Sequence, residues 1–123
     1  MHSDQSTFEE LVARAIDELP AWVRERMDNI DIVVQTWPSV GQLRRSGTPA
    51  GSTLLGLYEG VPLIRRGRGY NLVPPDRIVL FRGPLEQQAQ HGRPLQQLIR
   101  RTVLHEIAHH FGFTESEIRS LGY

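Results

Sequence analysis

Apolar residues near the start of the chain recur at helical spacing: Phe8, Leu11, Val12, Ala15, Ile16 and Leu19. Ser6 with Glu9 three residues on reads as a capping box, so a first helix is expected to begin there. Pro20 interrupts that helix, or ends it and opens a short second one, because proline is tolerated in a first turn. Trp22, Val23 and Met27 would face inward. Residues 30–36 are rich in β-branched side chains and predict a strand. Residues 38–52 carry Pro, Gly and Ser and predict a loop, and residues 53–58 a second strand before the Glu59-Gly60 turn signal. A third short strand is expected at residues 61–64, then a Gly/Arg loop at 65–70, and Pro74-Pro75 forbids regular structure ahead of the next element. Residues 77–82 (RIVLFR) are the clearest strand, stopped by Gly83-Pro84.

Residues 85–90 predict a helical turn that Gly92 breaks. From Pro94 the pattern runs unbroken to Phe111, with Gly112 placed as the C-terminal cap. Thr114 and Glu117 form a second capping-box pair and open a last short helix. Two helices, three or four strands, a long helix and a short one predict an α+β fold. Its small mixed sheet packs against N-terminal helices and a long C-terminal helix.

The 123 residues suit one domain, 1–123. Lys plus Arg and Asp plus Glu are each 14, a balance that gives no reason to expect nucleic acid or an anionic membrane as partner. Arg65, Arg66 and Arg68 cluster locally and read as a solvated loop. The first ten residues are polar and acidic with no apolar core, unlike a signal peptide, and no apolar run is long enough to cross a membrane. Cysteine is absent, so any metal must be held by His, Asp or Glu, and a cytoplasmic location is expected.

The chemistry concentrates at His105-Glu106-Ile107-Ala108-His109. On a helix, positions four apart lie one turn up the same face, so both imidazoles can reach one ion. Zinc accepts imidazole nitrogen and prefers four ligands. Glu106 lies about 100° round from His105, bordering the metal face without facing the ion, as suits a carboxylate that handles water. Random placement at this composition yields such a motif about once in a hundred chains, and here it falls inside a predicted helix. Gly112 lets the chain turn back, so that Glu115, ten residues after His105, falls where a third ligand approaches from outside the helix. Glu117 is the rival third ligand. His110 lies four residues after Glu106, where it could orient it, although a plain surface histidine is preferred. Tyr70 and Tyr123 are candidate oxyanion donors, Trp37 is expected in the core, and His2 and His91 carry no assigned role.

The string His105-Glu106-x-x-His109-x-x-Gly112-x-x-Glu115 resembles the elongated zinc motif of the metzincins, with Glu where that clan usually has a third His. The longer stretch HEIAHHFGFTESEIRSLGY, with RIVLFRGPL before it, is similar to a family of small bacterial zincin-like metallopeptidases. That resemblance implies a zincin fold, one zinc per chain and peptidase activity. It implies His105, His109 and Glu115 as metal ligands and Glu106 as the base. The Met-turn of metzincins has no counterpart, since the methionines are Met1 and Met27, so the floor of the site must be built differently.

The expected function is zinc-dependent hydrolysis of a peptide or protein substrate, with Glu106 taking the proton of a metal-activated water. Two alternatives stand beside it: a binding module with structural zinc, and a hydrolase of a non-peptide amide. With His105 at 0°, Leu98, Thr102 and His109 fall within about 60°, while Leu104, Ile107, Ala108 and Phe111 occupy the opposite side. A helix apolar on two sides is sandwiched between layers, and residues 77–82 are expected as the sheet's edge strand beside it, open to an extended peptide.

Overall fold

The computed structural model describes residues 5–49, 51–60 and 75–123. The strand expected at 61–64, the loop at 65–70, Pro74, Tyr70 and His2 lie outside these residues. In chain order the elements are α1 (Gln5–Asp17), α2 (Ala21–Arg26), β1 (Ile30–Gln35), α3 (Val40–Ser46) and β2 (Gly56–Glu59). They continue with β3 (Asp76–Phe81), α4 (Arg82–Ala89), α5 (Leu95–His110) and α6 (Glu115–Ser120). The fold is α+β, as the periodicity predicts. α1 takes in Ser6 instead of starting after it, and buries Phe8, Val12 and Ala15. Pro20 caps α2, whose Val23 is buried.

The three strands run in the order β1-β3-β2, with β3 parallel to β1 and antiparallel to β2. This corrects the expectation of an edge strand at residues 77–82: β3 is central. Ile78, Val79, Leu80 and Phe81 are all fully buried, and a strand apolar on both faces needs cover on both, which the middle of a sheet provides. Ile78 and Leu80 join Phe8, Val12, Val23, Leu98, Ile99, Val103 and Ile107 in one core. α5 packs on α1 and against β2 within this core. Its buried residues span both predicted apolar sides, from Leu98, Ile99 and Thr102 to Leu104, Ile107 and Ala108. Phe111, expected with them, is 47% exposed at the helix C-cap, with the Arg26 guanidinium 5.6 Å over its ring.

Residues 38–52 contain a helix where a loop is expected. Ser39 caps α3: its side chain accepts from Gln42 N–H while Gln42 Oε1 accepts from Ser39 N–H, and Gly47 closes the helix at φ 74°. Gln42 is also buried. Its amide donates to Gln35 Oε1 at 3.1 Å and to Glu59 Oε2 at 3.3 Å, tying β1 to β2 across the sheet. Trp37, expected in the core, is 54% exposed and lies over Gly83, where an added Cβ would come within 2.7 Å of the indole.

Gly56 opens β2 and is buried under α5. A Cβ there would sit 2.6 Å from Thr102 Cγ2 and 3.2 Å from the Val79 carbonyl, so strand and helix approach more closely than any side chain permits. Thr102 has little freedom to yield, because its hydroxyl donates to the Leu98 carbonyl at 2.8 Å. Gly56→Ala should cost about 1–3 kcal/mol by overpacking. Thr102→Ser, which removes the clashing methyl, should recover part of that loss in the double variant, as read by urea unfolding.

Glu59 supplies the second prediction. Burial works against its charge, but bonds from Arg77, Gln42 and Arg45 outweigh it and hold the carboxyl below its ordinary 4.5. A carboxyl depressed on folding adds stability that is complete above about 4.5 and fades as pH falls through the lower folded value. Glu59→Gln should therefore cost about 1 kcal/mol near neutrality. Unfolding curves of the two proteins should converge as pH falls below 4.5 and through the lower folded value.

Candidate metal centre

The long helix presents His105 and His109 one turn apart, their ring centroids separated by 6.0 Å and the planes at 89°. The helix then ends in a Schellman turn. Phe113 N–H donates to the Ala108 carbonyl at 2.9 Å and Gly112 N–H to the His109 carbonyl at 3.0 Å, with Gly112 at φ 91°. Phe113 after the turn packs on the core and meets Trp22 edge to face at 5.3 Å. Thr114 and Glu117 then exchange backbone-to-side-chain bonds as the N-terminal cap of α6, and buried Ile118 anchors that helix. Together these features deliver Glu115, the first residue of α6, back beside the histidines.

Glu115 Oε1 lies 3.1 Å from His105 Nδ1 and 2.9 Å from His109 Nε2. Of the rival ligands, Glu115 joins the pair, while Glu117 is spent on the cap. His105, His109 and Glu115 each offer a ligand atom within 4.8 Å of the others'. Slight burial works to raise the Glu115 carboxyl, but the His105 bond and the charges of His105, His109 and Arg119 hold it below its usual 4.5. Two imidazoles and a carboxylate are a donor set that zinc accepts. His105 faces Glu115 through Nδ1, while its other ring nitrogen, Nε2, is buried without a hydrogen-bond partner among the described residues.

Glu106 lines the same cleft as this group but turns one oxygen toward the sheet. Its Oε1 accepts the Tyr58 backbone N–H of β2 at 2.9 Å. Burial pushes its carboxyl above the usual 4.5, and the Tyr58 bond and the His109 charge pull it only part of the way back. Tyr58 is fixed in turn. Its hydroxyl donates to Asp76 Oδ2 at 2.7 Å, and its ring stacks on His110 at 3.8 Å with planes 12° apart. His110 thus touches the residue that holds Glu106 rather than Glu106 itself. Sequence reasoning missed Tyr58, because its contribution is a backbone N–H that any residue but proline would have, and only the strand's position selects it.

A cleft of about 270 Å³ runs past the group, lined by Leu54, Leu55 and Gly56 on one wall and by Arg101, Thr102 and the motif residues on the other. Tyr123 lines a neighbouring cavity that shares His105. No helix among the described residues is long and apolar enough to cross a membrane.

A family model of zincin-like metallopeptidases matches residues 27–123, which span β1 to α6 with the whole motif. Among solved structures, a conserved hypothetical protein from Thermo thermophilus matches with a TM-score of 0.56 at 22% identity. The match covers 88% of this chain and 94% of that one, a likeness of fold. No curated protein matches the chain. Over most of its length, and with the motif helix, the returning turn and the sheet in place, the chain belongs to the zincin-like metallopeptidase family.

Proposed function

We propose that this protein is a zinc-dependent peptidase, with His105, His109 and Glu115 as the metal ligands and Glu106 as the general base. The observation that carries the reading is the division of labour on one helix. Three ligand-capable groups converge within 4.8 Å, while the carboxylate between the two histidines in sequence is held apart by a strand N–H. Zinc bound there would act as a Lewis acid, lowering the pKa of a water toward about 7 and polarising the scissile carbonyl. Glu106, anchored through one oxygen, takes the proton of the attacking water and hands it to the leaving amine. Three protein ligands leave a fourth position for solvent or substrate, which favours catalysis over a structural zinc.

The substrate class follows from the strand beside the cleft. Among the described residues β2 pairs with β3 and with no other strand. Tyr58 N–H points outward to Glu106, and by the alternation of an antiparallel ladder Gly56 points the same way. With Tyr58 N–H already taken by Glu106, an extended peptide would lie along the cleft wall of Leu54, Leu55 and Gly56, with its carbonyl toward the metal group. The docking wall is therefore the one leading into β2 rather than residues 77–82. An open cleft beside a strand edge suits a peptide or protein substrate better than a small amide. The reading also takes residues 1–123 as one domain acting in the cytoplasm, without nucleic acid or membrane.

Zinc content and peptide hydrolysis, measured together on four proteins, test this. Wild type should carry about one zinc per chain and cleave members of a peptide library. Glu106→Gln should keep its metal and lose at least about a hundredfold in turnover. Glu115→Ala should bind zinc much more weakly, whereas Glu117→Ala should keep it and lose only about 1 kcal/mol of helix-cap stability. Full zinc affinity in Glu115→Ala, or undiminished turnover in Glu106→Gln, would overturn the assignment.

A further inference from the structure

Arginines dominate the wall of the cleft on the N-terminal side of the motif. Arg101 lies one turn before His105 on the same face of α5, a rise of about 6 Å. Its side chain lines the cleft that holds the proposed metal ligands. It also lines the two adjoining cavities, which Arg93 and Gln97 line as well. Arg100 borders one of these cavities too, but it faces Glu18 at 3.9 Å. Among the described residues no carboxylate pairs with Arg93 or Arg101. The acidic side chains lining these three cavities are Glu106 and Glu115, both already engaged, and Tyr123 at the end of the sequence lines one of the cavities without an ion pair to Arg93 or Arg101. A chain with balanced charge thus keeps unpaired cations along one side of its cleft, where a concave wall focuses their field.

We infer that Arg101 is a specificity determinant that selects substrates bearing a carboxylate close to the scissile bond, with Arg93 adding to the attractive field. This rests on the peptidase reading of the site. A guanidinium meets a carboxylate through two parallel hydrogen bonds, which fixes position as well as charge. An extended peptide advances about 3.3 Å per residue. Given the rise of about 6 Å along the helix, a carboxylate on Arg101 belongs to a residue within about two positions of the cleaved bond. Two peptide groups supply that chemistry: an acidic side chain, and the C-terminal carboxylate of a short substrate.

Peptides identical except for Glu, Gln or Lys near the cleaved bond, each as free acid and as C-terminal amide, separate these sources. Binding is read by fluorescence anisotropy on Glu106→Gln protein, with and without zinc, and cleavage as kcat/KM on the zinc-loaded enzyme carrying Glu106. Wild-type Arg101 should favour the carboxylate peptide by about tenfold in both readouts. Arg101→Gln should bring the Glu/Gln ratio near one. Arg101→Glu should invert the preference toward the Lys peptide, a reversal that no structural role produces. A preference that amidation abolishes assigns the C-terminal carboxylate; one that survives amidation assigns the side chain. Equal binding of Glu and Gln peptides, or an unchanged ratio in Arg101→Glu, overturns the inference even if peptides are cleaved. Arg101-dependent binding of acidic peptides without cleavage upholds it, and then only the hydrolytic reading falls.

Discussion

The hydrogen bond between the Tyr58 backbone and the Glu106 carboxylate fixes the relation between sheet and motif helix. It joins the edge of β2 to the face of α5 at 2.9 Å, and nearly every other feature of the site serves to make that approach workable. Gly56 omits a side chain so that the helix can come close. Asp76 and His110 hold the Tyr58 side chain from two directions, which sets the strand's rotation about its own axis. A carboxylate without such a donor would carry its full desolvation cost inside this contact. With the bond, one oxygen is committed and the other is left for chemistry. Structure and proposed catalysis therefore share a single polar contact.

Much of this arrangement is legible in the sequence. The motif helix, its glycine stop and the capping box of Thr114 and Glu117 follow from local rules that operate within a few residues, and they appear where those rules place them. Glu115 is preferred over Glu117 because it lies ten residues from His105 and just after a turn, while Glu117 has a competing task as a cap. The errors come from relations that act at longer range. RIVLFR is a strand, as its composition predicts, but not an edge, and its unbroken apolar run is itself the sign of a strand buried on both faces. α3 is hidden by Pro38, Gly41 and Gly47, yet Ser39 and Gln42 spell the same capping signature that locates the last helix. Trp37 suits a core by size, but its ring rests on Gly83 at the surface. Tyr58 gives no signal, since a backbone donor has no identity in sequence.

The proposed ligands all come from one short stretch, residues 105–115, so the metal group needs almost no long-range assembly. Two are set by helix periodicity and the third by a short chain reversal. The base is the exception. Its position depends on a contact between residues 48 apart in the chain, which forms only when the sheet has docked. Such a division implies different failure modes. Loosening the sheet should leave the ligand group largely intact and misplace the base, whereas loosening the turn at Gly112 should do the reverse.

The site is supported from below by the core of the fold. Ile107 and Ala108 sit on the buried side of the helix, opposite the histidines, and pack into the same core as Val12, Leu80 and Ile118. Ile118 belongs to α6, so the helix that supplies Glu115 is anchored in the core that seats His105 and His109. The floor is built from apolar side chains of the ligand-bearing elements rather than from a separate loop. Its rigidity therefore derives from ordinary close packing. A cavity opened there, as by Ile118→Ala, would act on Glu115 through the backbone of α6, without touching a ligand atom.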